Sequence, residues 1–517
     1  MTTAALARDA TVAVIGAGAM GSGIAQIAAQ AGHPVRLFDT RMGAAEKSRA
    51  AIGGTLAGLA AKGKLDAAGA EASAARITAV HALGDCVSAD LVIEAIVEDL
   101  GEKRSLFREL EKIVPPAAIL ASNTSSISIT ALAAGLKHQG RVVGMHFFNP
   151  VPLMKLVEVV SGLATDPATA DTIAATATAW GKDPVRATST PGFIVNRCAR
   201  PFYGEALRLL AEGATDAATL DALMREAGGF RMGAFELMDL IGNDVNFAVT
   251  RSVWEACYHD PRYAPSVLQQ ERVAAGFLGR KSGRGYFDYA PGAAPPSPST
   301  LASQVAPKRA ILHGDPGIAA PLVERLAAHV EIERREPLPG FPDGALAVGD
   351  AVLALSDGRT ATARGAATGT RDLVLFDLAL DYAACKRLAL APADSCAPEA
   401  FAAAAGLVQP SGIAVSRVDD VAGLVVMRTV AALANEAADA VTHGIATAAD
   451  VDTAMQKGVN YPRGPLRWGD DVGVGRVRDV LLHLAAHYGE DRYRVSPLIA
   501  RRHAAGGRLA AAAGAPR

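Results

Sequence analysis

A chain of 517 residues, half of them apolar and a fifth charged, is too long for one core and predicts about three or four domains. Its net charge of -2, with no long basic block, excludes a binder of nucleic-acid backbone, whose affinity comes from clustered Lys and Arg. Cys86, Cys198, Cys257, Cys385 and Cys396 are odd in number and scattered, which excludes a disulfide framework or a zinc spacing and fits a metal-free protein of the reducing cytoplasm.

Residues 11–15 read as a short Val/Ile strand, followed at once by GAGAMGSG and a helical run over 24–31. The stretch is nearly uncharged and about as long as a membrane span. Its glycines, the lack of a basic flank and the change from extended to helical argue against insertion or a signal peptide, so no membrane partner is expected. Gly16, Gly18 and Gly21 form a GxGxxG turn opening a helix after a strand. The first glycine makes the turn, the second admits a pyrophosphate, and the third packs helix on strand, while the helix N-terminus offers free N–H groups to an anion. A second strand over 34–38 ends in Asp39, spaced to accept the ribose hydroxyls of NAD and to repel a 2'-phosphate. Arg41 is the one nearby group that could accommodate that phosphate.

A long helix over 43–64 ends in Lys62, Gly63 and Lys64. The lysines either meet a phosphate or are solvated, and the residues alone favour solvation. Strands at 76–80, 90–95, 118–122 and 141–147 alternate with helices, as in a doubly wound parallel sheet. Ligands of such sheets lie outside the carboxyl ends of the strands. Glu98 and Lys103 are therefore candidate cofactor contacts, although charged residues opening a helix are usually only dipole-favoured. Ser122 to Ser126, four hydroxyls and an amide, make a polar rim at the next strand end.

The stretch GMHFFNPVPLMKLVEV carries the chemistry. A Val/Leu-rich strand bearing Glu158 must give that acid a partner or leave a buried charge unsatisfied, and His146 is the nearest candidate. A lone histidine in an apolar run is more often a core residue than a base, so the rest of the chain has to decide. After a helix over 166–182 and a strand over 183–187, Thr190, Pro191 and Gly192 break the chain, and only helices follow to about residue 270. Asn196 lies in the first turn of that lobe, as a capping amide or as a functional one.

Residues 291–300, PGAAPPSPST, read as a linker. Strand-like runs at 309–312, 351–355, 372–376 and 413–416 make a second α/β unit without a glycine turn, an HFFNP stretch or an acid placed like Asp39. The last segment repeats the first helical domain at a constant offset: Gly192 with Gly423, Arg197 with Arg428, Glu205 with Glu436, Asp221 with Asp452, Asp239 with Asp470. The repeat covers at least 192–242. Where the first copy has Asn196 the second has Met427, which cannot usefully hydrogen-bond, so packing alone does not demand the amide.

In GAGAMGSGIAQ, the FD at Asp39, EAIVEDLGEKRSLFREL, ASNTSSISIT, GMHFFNPVPLMKLVEVV, TPGFIVNR and GRKSGRGYFDY, taken in order, the chain resembles the L-3-hydroxyacyl-CoA dehydrogenase family. Its duplicated C-terminal domain resembles the long bacterial branch linked to phenylacetate breakdown, whose members oxidise 3-hydroxyadipyl-CoA. The resemblance implies a Rossmann-type NAD-binding domain (1–190), an all-α domain (191–290), a linker (291–307), a degenerate α/β domain (308–418) and a second all-α copy (419–517). It implies His146 as general base, Glu158 holding its imidazole, and Ser125 and Asn196 bonded to the substrate oxygen between the two domains. NAD would meet Gly16, Gly18, Ala19, Met20, Gly21, Asp39, Glu98, Lys103, Ser125, Asn149 and Lys281, and the CoA of an acyl-CoA substrate would meet Lys62 and Lys64. A 3-hydroxybutyryl or medium-chain fatty-acyl substrate is the alternative within the family, and a non-catalytic NAD-binding structural relative the alternative outside it. The first helical copy departs from the pattern: GGFRMGAFELMD lacks the Tyr-Pro and Gly-Pro that the second copy keeps as Tyr461, Pro462, Gly464 and Pro465, which puts the turn beside the acyl pocket in doubt. Helical domains pair between subunits in single-copy relatives. The second copy is therefore expected to pack on the first within one chain and to imitate that dimer contact; a homo-oligomer is a separate expectation.

Overall fold

The computed structural model describes residues 4–510, so the end of the expected last domain, 511–517, lies outside the described residues. Two compact units emerge: 4–197 with 443–459, and 198–442 with 460–510.

The first unit is built on eight strands: β1 (Val12–Ile15), β2 (Val35–Phe38), β3 (Ile77–Val80), β4 (Leu91–Glu94), β5 (Ile119–Ser122), β6 (Val142–Phe147), β7 (Leu156–Ser161) and β8 (Asp183–Thr188). Their order is β3-β2-β1-β4-β5-β6-β7-β8. The helices Ala19–Ala31, Ala44–Ala61 and Pro167–Ala179 bury their apolar sides on the sheet, so Val12, Val14, Leu91 and Ile93 are lost to solvent, as fully covered strands require. The expectation of a parallel sheet needs one correction. β6 and β7 are antiparallel, because residues 148–155 hold no helix and a parallel crossover needs a dozen residues or more. That hairpin sets His146 directly opposite Glu158.

The second unit holds a mixed sheet of β9 (Arg309–His313), β10 (Glu331–Arg335), β11 (Ala345–Val348), β12 (Ala351–Leu355), β13 (Leu373–Phe376), β14 (Arg387–Pro392) and β15 (Ala414–Arg417), in the order β10-β9-β11-β12-β13-β14-β15. Three of these strands escape the sequence pattern for physical reasons. β10 is a charged edge, EIERR; β11 has four residues; β14 is rich in alanine. Here too the helical copies pack on each other as expected. The almost wholly buried helix Val426–Thr442 lies against Arg200–Ala211. The polar contacts are reciprocal: Arg428 and the Tyr493 hydroxyl meet Glu205 at 2.7 and 2.8 Å, and the Tyr263 hydroxyl meets its counterpart Glu436 at 2.6 Å.

Each sheet is also covered by a helix from the other copy. Ala448–Gly458, from the second, packs on β7 and β8 in the first unit, where the Thr188 N–H donates to Ile445 O at 2.8 Å. Ala217–Glu226, from the first, packs on β14 in the second unit, where the Asp419 N–H donates to Ala214 O at 2.8 Å. Thr188 and Asp419, and Ala214 and Ile445, are counterparts at the offset of the helical repeat. That offset also superposes β7 on β14, β8 on β15 and the helix starting at Pro167 on the one starting at Pro398, so the duplication reaches upstream of 192. Among the described residues, no helix is long and apolar enough to cross a membrane, and no His/Cys/Asp/Glu group is arranged to hold a metal.

Candidate active site

Cross-strand pairing puts the His146 and Glu158 side chains on one face, and His146 Nδ1 lies 2.7 Å from Glu158 Oε2. Both are buried, His146 with 5 % of its surface exposed. The other carboxylate oxygen accepts the backbone N–H groups of Ile194 and Val195 at 2.9 and 3.0 Å. These donors exist because Gly192 and Phe193 both take positive φ (74° and 46°), which turns the chain sharply before the short helix Val195–Cys198 and leaves its first N–H groups unpaired within the helix. A carboxylate held at both oxygens fixes the ring: Nδ1 carries the proton and Nε2 presents its lone pair. Phe148 and Phe193 pack on the imidazole with ring centroids 4.5 and 5.9 Å away. Asn196, half-buried, follows the two bracing N–H groups directly in the chain.

The β5 end is ordered by Glu98. Its Oε1 accepts from the Thr124 hydroxyl (2.6 Å), the Ser126 hydroxyl (2.9 Å) and the Ser125 and Ser126 N–H groups (3.0 and 3.2 Å). Burial pushes this carboxyl up, but Lys103 and the hydroxyl and N–H donors outweigh it and hold it below the usual carboxylate range. Lys103 is 1 % exposed, with its ammonium 2.5 Å from the buried Glu94 and 3.2 Å from Glu98. It therefore meets the crevice through Glu98. Ser125 is half-buried on the loop that Glu98 shapes, and Asn149 is exposed on the 148–155 connection. Lys182 ties down that connection by donating to Val151 O and Met154 O at 2.5 and 2.8 Å.

The residues at the β1 end fit a dinucleotide. A Cβ at Gly16 (φ 107°) would lie 2.5 Å from Ala95 O, and one at Gly21 would lie 1.8 Å from Gly16 O, so both must be glycine. A Cβ at Gly18 would meet nothing within 4 Å. Gly18 and Ala19 open onto a cavity of about 460 Å³ at the helix N-terminus, and Met20 is half-buried behind them. Asp39 accepts the Ala17 N–H at 2.8 Å and the Arg41 Nε at 3.1 Å. Burial raises its pKa, but the Arg41 guanidinium and the two backbone donors prevail, and it falls to about 2. A carboxylate ionised at every working pH suits an acceptor for ribose hydroxyls. Lys62 and Lys64 are exposed on the turn after the helix Ala44–Ala61. Lys281 belongs to the second unit, where it pairs with Asp244 at 2.6 Å.

Sequence reasoning missed two features. Gly458, on the helix supplied by the second copy, approaches Leu156 and Val195, the latter one of the two donors to Glu158; no local signal reveals this. Asp377 is the counterpart of His146 at the repeat offset, and Ala389 that of Glu158. Buried Asp377 alone accepts the N–H groups of Val425 and Val426, counterparts of Ile194 and Val195, so in the second copy one acid does the bracing and no imidazole is left. Extending the offset upstream would have found it.

Three family models match the chain: the NAD-binding domain of 3-hydroxyacyl-CoA dehydrogenase over 11–190, its C-terminal domain over 192–289 and again over 423–516, and a 3-hydroxybutyryl-CoA dehydrogenase reduced Rossmann-fold domain over 353–421. The chain is 43 % identical to the 3-hydroxyadipyl-CoA dehydrogenase of Escherichia coli K12, over 95 % of this chain and 97 % of that one. It is 39 % identical to the human mitochondrial hydroxyacyl-coenzyme A dehydrogenase over 54 % of this chain and 90 % of that one. A solved structure named 3-hydroxybutyryl-CoA dehydrogenase, also from E. coli K12, superposes with a TM-score of 0.87 at 41 % identity, covering 96 % of this chain and 98 % of that one.

Proposed function

We propose, from the premise that this chain belongs to the 3-hydroxyacyl-CoA dehydrogenase family and oxidises 3-hydroxyacyl-CoA to 3-oxoacyl-CoA with NAD, that His146 is the base of the reaction and 3-hydroxyadipyl-CoA its substrate. The observation that carries the first part is the 2.7 Å contact of His146 with a carboxylate itself held by two N–H groups. NAD, when bound, supplies the acceptor for the hydride leaving C3. His146 Nε2 takes the proton of the 3-hydroxyl, and Glu158 stabilises the imidazolium that forms. A base so poised contributes about 100- to 10,000-fold. Ser125 and Asn196 hold the substrate oxygen; Gly16, Gly18, Ala19, Met20, Gly21 and Asp39 hold the dinucleotide, with Asn149 and Glu98, itself held by Lys103, completing its site; Lys62 and Lys64 meet the CoA phosphates.

The adipyl assignment is supported by the E. coli relative of that name, which matches nearly end to end, whereas the 3-hydroxybutyryl-CoA dehydrogenases of Bacillus subtilis and Bradyrhizobium diazoefficiens match 54 % of the chain. The solved structure that matches over nearly the whole chain, a 3-hydroxybutyryl-CoA dehydrogenase by name, favours 3-hydroxybutyryl-CoA as the second reading. Turnover of the two substrates decides between them. Replacing His146 with Ala should abolish NAD reduction with either while leaving NAD binding in place, and unchanged turnover would refute the role. The further proposals, a cytoplasmic location and a homo-oligomeric state, are tested by cell fractionation and light scattering.

A further inference from the structure

We propose that Arg41 governs the choice of coenzyme: its guanidinium leaves Asp39 when a dinucleotide binds and meets the 2'-phosphate of NADP, so that the chain reduces NADP as well as NAD. The inference deepens the NAD-dependent dehydrogenase reading above and rests on it. An ionised carboxylate offers about four acceptor positions, and those of Asp39 are filled. Its Oδ1 accepts the Arg41 N–H and Nε at 2.9 and 3.1 Å, and its Oδ2 accepts the Ala17 N–H and Arg41 Nη2 at 2.8 and 3.2 Å. The two backbone donors are fixed by the fold. Ribose hydroxyls therefore find room on Asp39 only where the guanidinium now lies. The Asp39 side chain is 8 % exposed and that of Arg41 72 %, so the guanidinium stands between the acid and solvent and, as half of a solvated pair, is displaced at little cost.

Arg41 lines the cavity of about 460 Å³ onto which Gly18 and Ala19 open, and Lys47, in the first turn of the helix Ala44–Ala61, lines it as well. Among the described residues, no carboxylate lines that cavity. Glu46, beside Lys47 in the chain, is engaged elsewhere, 3.2 Å from His81 Nδ1. The pyrophosphate is taken up at the N-terminus of the first helix, so the two side-chain cations are left for a second anion near the ribose. A 2'-phosphate is that anion. It is carried on one of the hydroxyls that Asp39 would otherwise bind, which sets it where the displaced guanidinium lies. The planar guanidinium pairs bidentately with phosphate, and Lys47 adds a point charge. Facing a bare Asp39, a 2'-phosphate would be rejected about a thousand-fold. A charge-assisted contact to Arg41 recovers about ten- to a hundred-fold of that.

The test follows reduction of NAD and of NADP by the full-length chain, with 3-hydroxyadipyl-CoA or 3-hydroxybutyryl-CoA, whichever turns over faster, held at saturation. The native chain should reduce NADP with a kcat/KM within about 100-fold of that for NAD, the difference lying in KM. Arg41→Ala should move the two coenzymes in opposite directions, which loss of a merely structural contact would not do. KM for NAD should fall about two- to five-fold, because Asp39 is freed, and KM for NADP should rise about ten- to a hundred-fold. Arg41→Lys should recover part of the NADP loss, and Lys47→Ala should raise KM for NADP more than for NAD. Competition against NADP distinguishes the sources of the phosphate. 2'-AMP should compete better than 5'-AMP, by a margin lost in Arg41→Ala, whereas inorganic phosphate competing as well as 2'-AMP would assign the cavity to a free anion and overturn the proposal. A native chain that does not reduce NADP, or equal shifts of both KM values in Arg41→Ala, would also overturn it. No reduction of either coenzyme with any 3-hydroxyacyl-CoA would instead strike at the underlying dehydrogenase reading.

Discussion

Replacing Glu158 by Gln changes one atom and, on the proposed mechanism, nearly abolishes turnover. One oxygen of Glu158 accepts two N–H groups and the other faces His146 Nδ1. A glutamine keeps its carbonyl on Ile194 and Val195, since the reverse orientation would set its NH2 against two donors and leave them unsatisfied at about 1–3 kcal/mol each. Its NH2 must then donate to Nδ1, which drives the ring proton to Nε2 and removes the lone pair that takes the substrate proton. A histidine locked in the wrong tautomer costs about 10,000-fold where an Asp-to-Asn change has been measured in a serine-protease triad, or about 5 kcal/mol of barrier. We expect kcat, followed by NADH absorbance, to fall about 1,000- to 10,000-fold with KM little changed. Melting temperature should hold or rise, because a fully buried charge has been removed. A variant with kcat within ten-fold of the native chain would refute this reasoning.

Other consequences can be checked separately. In Gly458→Val, a Cβ would lie 2.5 Å from Leu156 Cδ2 and 3.1 Å from Val195 Cγ2, so overpacking of about 1–3 kcal/mol should lower the melting temperature and, by displacing Val195 from Glu158, cut kcat about ten-fold; unaltered kcat would show that the swapped helix does not support the site. Deleting everything after Pro291 removes that helix and uncovers the buried Glu205 and Tyr263, so light scattering should find self-association or precipitation rather than a well-behaved monomer. Asp221 is pushed up to about 7 by burial, against the N–H groups of Phe235 and Glu236. Its folded-state pKa thus exceeds the unfolded one, so the stability it contributes is fully present below about pH 4 and is lost as pH rises through 7. Thermal melts from pH 4.5 to 7.5 should fall less steeply for Asp221→Asn, and parallel curves would contradict the assignment.

The sequence by itself determined the glycine turn, the acid at the end of β2, the imidazole and carboxylate on adjoining strands, the all-helical lobe and its repetition. Those features are local: turn chemistry, hydrophobic period and a charge that needs a partner are written within a few residues of one another. Tertiary structure alone decided that β6 and β7 run antiparallel with His146 facing Glu158, that the helix Ala448–Gly458 covers the sheet of the other copy, and that Asp377 braces the turn left without an imidazole. These facts depend on packing between segments far apart in the chain, where the apolar face of a helix specifies that it will be covered but carries no record of which strand will cover it.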